Sequence, residues 1–392
     1  MNICMFSRVV IGHSKGGVQD HIAMLTEGLA KRGHKVTIIT SGNPGKDFEE
    51  KNGVKIYYLK NTKRGNYSKG YFKKGNELFL ELHKKEPFDV VHSQDVSAYY
   101  FVKKNLHRRL GIPVVVTMHG TAYDEFRTRI NNLSIAEPVV SLREMAIFLI
   151  FVYRYFLREL PTNKRVNAMI ATSNEQFELY KKAYRINKNK ISIVYNGIDS
   201  DFFRPKRIDK PESPRILLCI ARFEKEKGIQ NILRAMPLIL RQQDVRLWLI
   251  GDGYYKNKLK KIAKRLKLND YVDFLGYVDF KKLPDYFNMC DIFVNPTNRQ
   301  NGYDLTVIEA MACGRPVVTT NIGSYPTAIK SGEDGILTKL KGAKNLANSV
   351  LMILDNEEFK EKISKNSRKK VLENFRMRKM IEDTIKVYEG VR

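Results

Sequence analysis

The 392 residues read as two doubly wound α/β domains in tandem. Short Val- and Ile-rich runs alternate with stretches that carry apolar residues at helical spacing along the whole chain. The charged, proline-containing stretch SDFFRPKRIDKPESP, residues 200–214, has no periodicity and interrupts that alternation near the middle. The length also exceeds what one core fills, which gives two domains of roughly 150 to 200 residues.

In the first domain, residues 1–199, buried parallel strands are expected at Asn2–Phe6, Lys35–Thr40, Val54–Tyr58, Val90–His92, Val114–Thr117, Ala168–Ala171 and Ile191–Val194. The stretch His21–Lys31, ended by Gly33, makes a βαβ unit of the first two. The loop ahead of it, IGHSKGGVQDH, puts Gly16 and Gly17 before a helix, where a backbone without side chains can approach a diphosphate. A glycine pair also makes an ordinary turn. VVVTMHGT sets His119 just past a strand, a place for a site residue and equally for a structural histidine.

After the 200–214 linker, strands at Arg215–Ile220, Arg246–Ile250, Val272–Leu275, Ile292–Val294 and Pro316–Thr319 alternate with helices such as Gln230–Leu240 and Tyr254–Leu266, giving a second domain over 215–376. In CIARFEKEKGI, Arg222 follows a strand and Lys227 comes five residues later, before Gly228 and a helix. A guanidinium and an ammonium there can neutralise a diphosphate from two sides. NPTNRQNGYDLTVIEAMACGRPVVTT, residues 295–320, reads as strand end, loop, helix, turn and strand. Its helix, Leu305–Ala312, starts at a strand's carboxyl end, where free N–H groups and the dipole favour an anion. Glu309 shares a face with Leu305 and can accept hydrogen bonds from sugar hydroxyls. Asp304 is a good N-cap and would compete with a phosphate for the N–H groups near Leu305 and Thr306.

The run GYDLTVIEAMACGRPVV resembles the carboxy-terminal signature of retaining, nucleotide-sugar-dependent glycosyltransferases of family four, which have the GT-B fold. The resemblance extends over nearly the whole chain. It implies two Rossmann-like domains facing across a cleft and a last helix, 377–392, that crosses back to the first domain. It makes Gly16 and Gly17 the family's GG loop, sets His119 near the donor sugar, and matches the R-to-KG spacing of Arg222 and Lys227. Gly302, Tyr303, Asp304, Leu305, Thr306 and Glu309 become donor-binding residues, and the loop at Tyr277 and Val278 meets the nucleotide base. VYNGID, residues 194–199, matches the motif near the hinge, which accounts for Asp199 without a metal-binding triplet. The family brackets its signature with two Glu residues; Glu309 matches the second, and Asn301 stands where the first belongs. An amide can orient a hydroxyl but cannot act as a carboxylate nucleophile.

The implied reaction moves a sugar from a UDP- or GDP-sugar to an acceptor with retention. Arg222, Lys227 and helix N–H groups stabilise the departing diphosphate, with no metal and no cofactor. Two other readings stay open: a weakly catalytic basic protein that binds glycan or nucleic acid, and a sugar-nucleotide epimerase. Joint presence of His119, Arg222, Lys227 and Glu309 favours the transferase, because nucleic-acid binding requires none of that set.

A formal net charge of +27 points to an anionic partner. With no nucleic-acid motif beside it, the expected partners are an anionic membrane surface or a glycan or lipid-linked acceptor such as a polyprenyl phosphate. The basic stretch Lys60–Lys85, with Tyr67, Tyr71 and Phe72 interleaved, is either a gripping surface or a solvated helix face. Met145–Phe156 is apolar but too short and too charged to span a bilayer, so it is either a packed helix or a shallow membrane-docking surface. Cys4, Cys219, Cys290 and Cys313 lie far apart in apolar contexts, as reduced thiols do. No leader precedes the strand at residue 2, so a cytoplasmic location is expected, peripheral at the inner face of the membrane where it docks.

Overall fold

The computed structural model describes residues 1–13, 16–132, 142–209, 213–300, 302–340 and 342–392. The chain forms two compact units. The first combines Met1–Phe126, Glu137–Gly197 and Met377–Arg392; the second combines Arg127–Ala136 and Ile198–Arg376.

The first unit carries β1 (Asn2–Phe6), β2 (Lys35–Thr40), β3 (Phe48–Lys51), β4 (Val54–Tyr58), β5 (Val90–Gln94), β6 (Val114–Thr117), β7 (Ala168–Ala171) and β8 (Ile191–Ile193). Their order is β3-β4-β2-β1-β5-β6-β7-β8, parallel throughout except for β3, which pairs antiparallel with β4 at the edge. Successive residues of a strand point to opposite faces, and here both faces are buried. Cys4 and Phe6 of β1 enter one core with Val91 and Val116, while Ile3 and Met5 enter another with Ile38 and Val115. That is why these strands read as continuous apolar runs. The second core is closed by the helix Met377–Glu389 through Met380, Ile381, Val387 and Tyr388. A Cβ on Gly28 would lie 2.1 Å from Ile381 Cδ1, so the helix Gly17–Ala30 packs closely there and a larger residue would require the Ile381 side chain to shift.

The second unit carries β9 (Arg215–Ile220), β10 (Val245–Ile250), β11 (Val272–Gly276), β12 (Ile292–Asn295), β13 (Val317–Thr320) and β14 (Ile336–Thr338), all parallel in the order β11-β10-β9-β12-β13-β14. Two α/β units with parallel sheets bear out the expected fold class. Residues 200–206, read above as linker, are fixed to this unit. Phe203 is buried against Phe280 and Phe287, Lys206 N–H donates to Asn288 Oδ1 at 2.8 Å, and Arg368 Nη1 donates to the carbonyls of Ser200 and Phe203. Two adjacent aromatics in an aperiodic stretch leave no pattern to read.

Two further segments resolve readings left open above. In the basic stretch, Ser68 caps the helix Lys69–Lys85, and Tyr71, Phe72 and Phe79 face the core, with Tyr67 stacked on Phe72. Those aromatics are structural. The apolar stretch forms the helix Leu142–Arg154 and a π turn, Tyr155–Glu159. It is not simply packed: Leu149, Ile150, Tyr153, Phe156 and Leu157 are between 49% and 63% exposed, at spacings that keep them on one side. None of the helices among the described residues is long and apolar enough to cross a membrane. All four cysteines are buried free thiols.

Candidate active site

In the second unit the strand order reverses between β9 and β12, and ligands of such sheets bind beyond the carboxyl ends at that point. After β9 the chain passes Arg222 and makes one 3-10 turn, Lys225–Lys227, ended by Gly228 at φ 68°. A Cβ on Gly228 would lie 1.8 Å from the Pro296 carbonyl oxygen, so glycine is required for this loop to lie against the one after β12. The Asn298 N–H, donating to Glu226 O at 2.8 Å, ties the two loops together.

This geometry tucks Lys227 in, with its side chain 6% exposed and its Nζ bonded to Asp304 Oδ1. Tyr325 OH donates to Asp304 Oδ2 at 2.8 Å, and Asn295 Nδ2 approaches that oxygen at 3.3 Å while donating to Tyr325 OH at 2.8 Å. Burial pushes the Asp304 carboxyl up. The charges of Lys227 and Arg299 and the hydrogen bonds from Lys227 and Tyr325 outweigh it and hold the group well below the usual carboxylate range. Asp304 occupies the N-cap position of the helix Leu305–Ala312 but bonds none of that helix's N–H groups through its side chain. The expected competition between Asp304 and a phosphate for those donors is therefore absent, because Lys227, Tyr325 and Asn295 take the carboxylate instead. Leu305 and Thr306 open the helix, so their N–H groups have no partner within it.

Arg222 sits at the surface, 63% exposed, with Nη1 2.8 Å from Glu224 Oε1. Glu309, one turn into the helix, is 6% exposed. Gly302 is left-handed, φ 54°, and its carbonyl accepts from Ser324 N–H at 3.2 Å. Tyr303 is buried with its ring edge-on to Phe375. Tyr277, exposed, and Val278 follow β11. Asn301 lies outside the described residues. Arg299, Asn295 and Tyr325 escaped the sequence reading: no motif marks them, and Tyr325 comes within reach only because β13 runs beside β12.

The first unit reverses strand order between β1 and β5. Gly16 and Gly17 lead into the helix after β1. His119, half-buried beyond β6, receives a fixed environment: its N–H donates to Asp95 Oδ1 at 2.7 Å and its Nε2 lies 2.7 Å from Gln94 Oε1. With the amide oxygen as partner, Nε2 carries the ring proton and Nδ1 is left as acceptor. The His21 ring meets it edge-on at 4.7 Å. Burial and the positive charge of Arg8 push His119 down to about 4, and burial with the two neighbouring imidazoles pushes His92 down to about 3. These rings are neutral at physiological pH. Beside them Glu159 is buried; both of its oxygens accept from the Ala122 N–H, and its Oε2 accepts from Tyr184 OH at 2.5 Å. Burial, against Tyr184 and Arg154, raises its carboxyl to about 7. Gln94, Asp95 and Glu159 were also missed; the polar SQD run directly after an apolar strand was the available signal for the first two.

Residues 15–202 match the family model "Glycosyltransferase Family 4", and residues 201–370 match "Glycosyl transferases group 1". An uncharacterized glycosyltransferase of Methanocaldococcus jannaschii is 26% identical over 388 residues, covering 95% of this chain and 94% of the relative. The N-acetyl-alpha-D-glucosaminyl L-malate synthase of Bacillus anthracis is 26% identical over 378 residues, covering 93% and 91%. Among solved structures, sucrose-phosphate synthase from Thermosynechococcus elongatus superposes with a TM-score of 0.80 at 21% identity, covering 100% of this chain and 98% of that one. Anabaena HepE in complex with UDP-glucose superposes with a TM-score of 0.73 at 16% identity, covering all of both chains. The two family models meet at residues 201–202 and together take in the residues described in both units, so the chain belongs to the family 4 glycosyltransferases and has the GT-B fold.

Proposed function

We propose that this glycosyltransferase moves a sugar, with retention, from a UDP- or GDP-sugar to a glycan or lipid-linked acceptor, without a metal. The observation that carries the donor reading is the switch point of the second unit. There the Lys227 ammonium, the Arg222 guanidinium and the amino end of the helix Leu305–Ala312 gather at the carboxyl ends of β9 and β12. Cleavage of the bond from the anomeric carbon to the diphosphate leaves negative charge on the phosphate oxygens, and groups fixed in advance stabilise it without reorganising. The acceptor hydroxyl forms the new bond on the same face and its proton passes to the departing diphosphate. Glu309 and Asn301 orient the sugar; His119, neutral and aimed by Asp95 and Gln94, offers it a hydrogen bond. UDP bound to a neighbour of the same fold favours uridine as the base.

The apolar stripe along Leu149–Leu157, on a chain of net charge +27, supports docking at an anionic membrane surface, where a lipid-linked acceptor resides. Calorimetry with UDP, GDP and their sugars tests the donor, and NMR of the product's anomeric proton tests retention. An inverted product, or failure to bind any nucleoside diphosphate, overturns the reading. Flotation with anionic vesicles tests docking: binding that survives Leu149→Asp with Leu157→Asp rules out the stripe.

A further inference from the structure

On the first unit, the segments that follow β2 and β4 enclose a cleft of about 460 Å³ that none of the groups described above uses. Its walls are fixed. Gly42 N–H donates to Thr62 Oγ1 at 2.7 Å, and Gly65 N–H donates to Ser41 Oγ at 2.8 Å, which ties the two segments together. Both are tied in turn to the loop after β1: His13 Nε2 lies 3.1 Å from Ser41 O, Asn43 Nδ2 donates to Gly12 O at 3.4 Å, and Arg64 Nη2 donates to the same oxygen at 3.2 Å. The lining carries Lys46, Lys60, Lys63 and Arg64. Lys60 pairs with Asp47 at 2.7 Å and Lys46 with Glu49 at 2.5 Å. No carboxylate among the described residues pairs with Lys63 or Arg64. The cleft therefore holds two positive charges in excess, on a scaffold already ordered before a ligand arrives.

We infer that this cleft anchors the acceptor by a phosphate monoester, whose charge at neutral pH, about −1.5 to −2, matches the excess. The inference rests on the glycosyltransferase reading, because only that reading makes the ligand an acceptor. The position supports it. The cleft opens at the carboxyl ends of parallel strands, the ligand side of such sheets, and it borders the loop that runs on to Gly16 and Gly17. From the β2 and β4 side to the β1 and β5 reversal is about two strand spacings, roughly 10 Å. An anchored phosphate thus leaves at least one sugar ring between itself and the reacting hydroxyl. Lys63 and Arg64 supply charge-assisted hydrogen bonds, and Arg64 is held at its fork by Gly12 so that its remaining N–H groups are already oriented.

The phosphate can belong to a soluble sugar phosphate or to a lipid carrier, and the test separates the two. Full-length protein, saturated with UDP so that the donor's phosphate sites are filled, is titrated with glucose 6-phosphate, with glucose, and with phosphatidylcholine vesicles with and without phosphatidic acid. Glucose 6-phosphate binding, glucose not, with affinity falling about tenfold or more in Lys63→Ala and in Arg64→Ala, assigns a soluble phosphate. Binding only to phosphatidic acid vesicles, lost in the same variants, assigns a lipid phosphate. Lys63→Glu has no role in the scaffold and keeps the test valid should Arg64→Ala disturb the Gly12 loop. All variants should bind UDP as wild type does; a wild type that binds no UDP counts against the transferase reading alone. Phosphate binding unchanged in Lys63→Glu and Arg64→Ala, or no preference for the phosphorylated probes, overturns the inference.

Discussion

Asp304→Asn is the substitution that tests most directly how the proposed donor site of the second unit works. In the wild type the carboxylate compensates the nearly enclosed Lys227 ammonium and accepts from Tyr325. Breaking a buried ion pair from one side costs about 3 to 5 kcal/mol, and the amide oxygen that remains restores a hydrogen bond contributing about 1 kcal/mol, so the second unit should lose about 2 to 4 kcal/mol. The single tryptophan, Trp248, lies on β10, so urea unfolding followed by its fluorescence reports on this unit alone. The folded pKa of Asp304 is depressed, so its contribution is fully present above the unfolded value near 3.8 and is lost as pH falls below it; the variant should lack that acid loss. With UDP bound the sign of the effect on affinity reverses. The diphosphate gives Lys227 a new anionic partner and no longer faces the Asp304 charge. If half of the lost stability returns on binding, about 1 to 2 kcal/mol, UDP should bind about five- to thirtyfold tighter to the variant by calorimetry, since 1.4 kcal/mol is a factor of ten. A variant as stable as wild type, or one that binds UDP no better, would refute the picture of a carboxylate and a diphosphate sharing one ammonium.

Other outcomes follow from the same geometry. Arg222→Ala and Lys227→Ala should each weaken UDP by about tenfold or more, as loss of a charge-assisted hydrogen bond does; unchanged affinity in both would remove these residues from the site. Glu159→Gln should gain stability relative to wild type as pH rises from 5 to 8. The raised carboxyl contributes most below its unfolded pKa and loses that contribution through about pH 7, a change of up to about 3 kcal/mol; a pH-independent difference would show that Glu159 is not the group titrating. For Asn301, wild type and Asn301→Glu should turn over at comparable rates with different sugar preferences across UDP- and GDP-sugars. A wild type inactive on every donor, beside an active Asn301→Glu, would show that a carboxylate is required there.

What the sequence discloses and what it hides have distinct physical causes. The central strands β1, β6, β9 and β12 were legible because they are buried on both faces and read as nearly unbroken apolar runs. The edge strand β3, FEEK, was not, because it is mostly exposed and pairs on one side only, so burial imposes no pattern on it. Arg222 and Lys227 stood out as candidates from their position after a strand, and Glu309 from its match to the family signature. Their partners did not: Asp304 reads locally as an N-cap, and only the parallel pairing of β12 with β13 and the close approach at Gly228 reveal that it serves Lys227. Likewise the aromatics of Lys60–Lys85 resembled a binding surface because composition does not tell which helix face turns inward.

The charge of the chain can be apportioned on the same footing. At the proposed donor site Arg222 meets Glu224, Lys227 meets Asp304 and Arg299 approaches Glu226 at 4.0 Å. Each of these three cations has an acid beside it, so their local field is close to neutral until a diphosphate displaces one of the carboxylates from its partner. A donor site of that kind gains little from a net charge of +27, since long-range attraction depends on unpaired charge. The cleft beyond β2 and β4 is built the other way, with two cations left over. If the excess serves a ligand at all, it serves the one that meets the first unit. Raising the ionic strength should accordingly weaken acceptor binding more than donor binding, and KM for the acceptor should rise with salt while KM for the nucleotide sugar changes little. Equal salt dependence of the two would return the charge to the donor side.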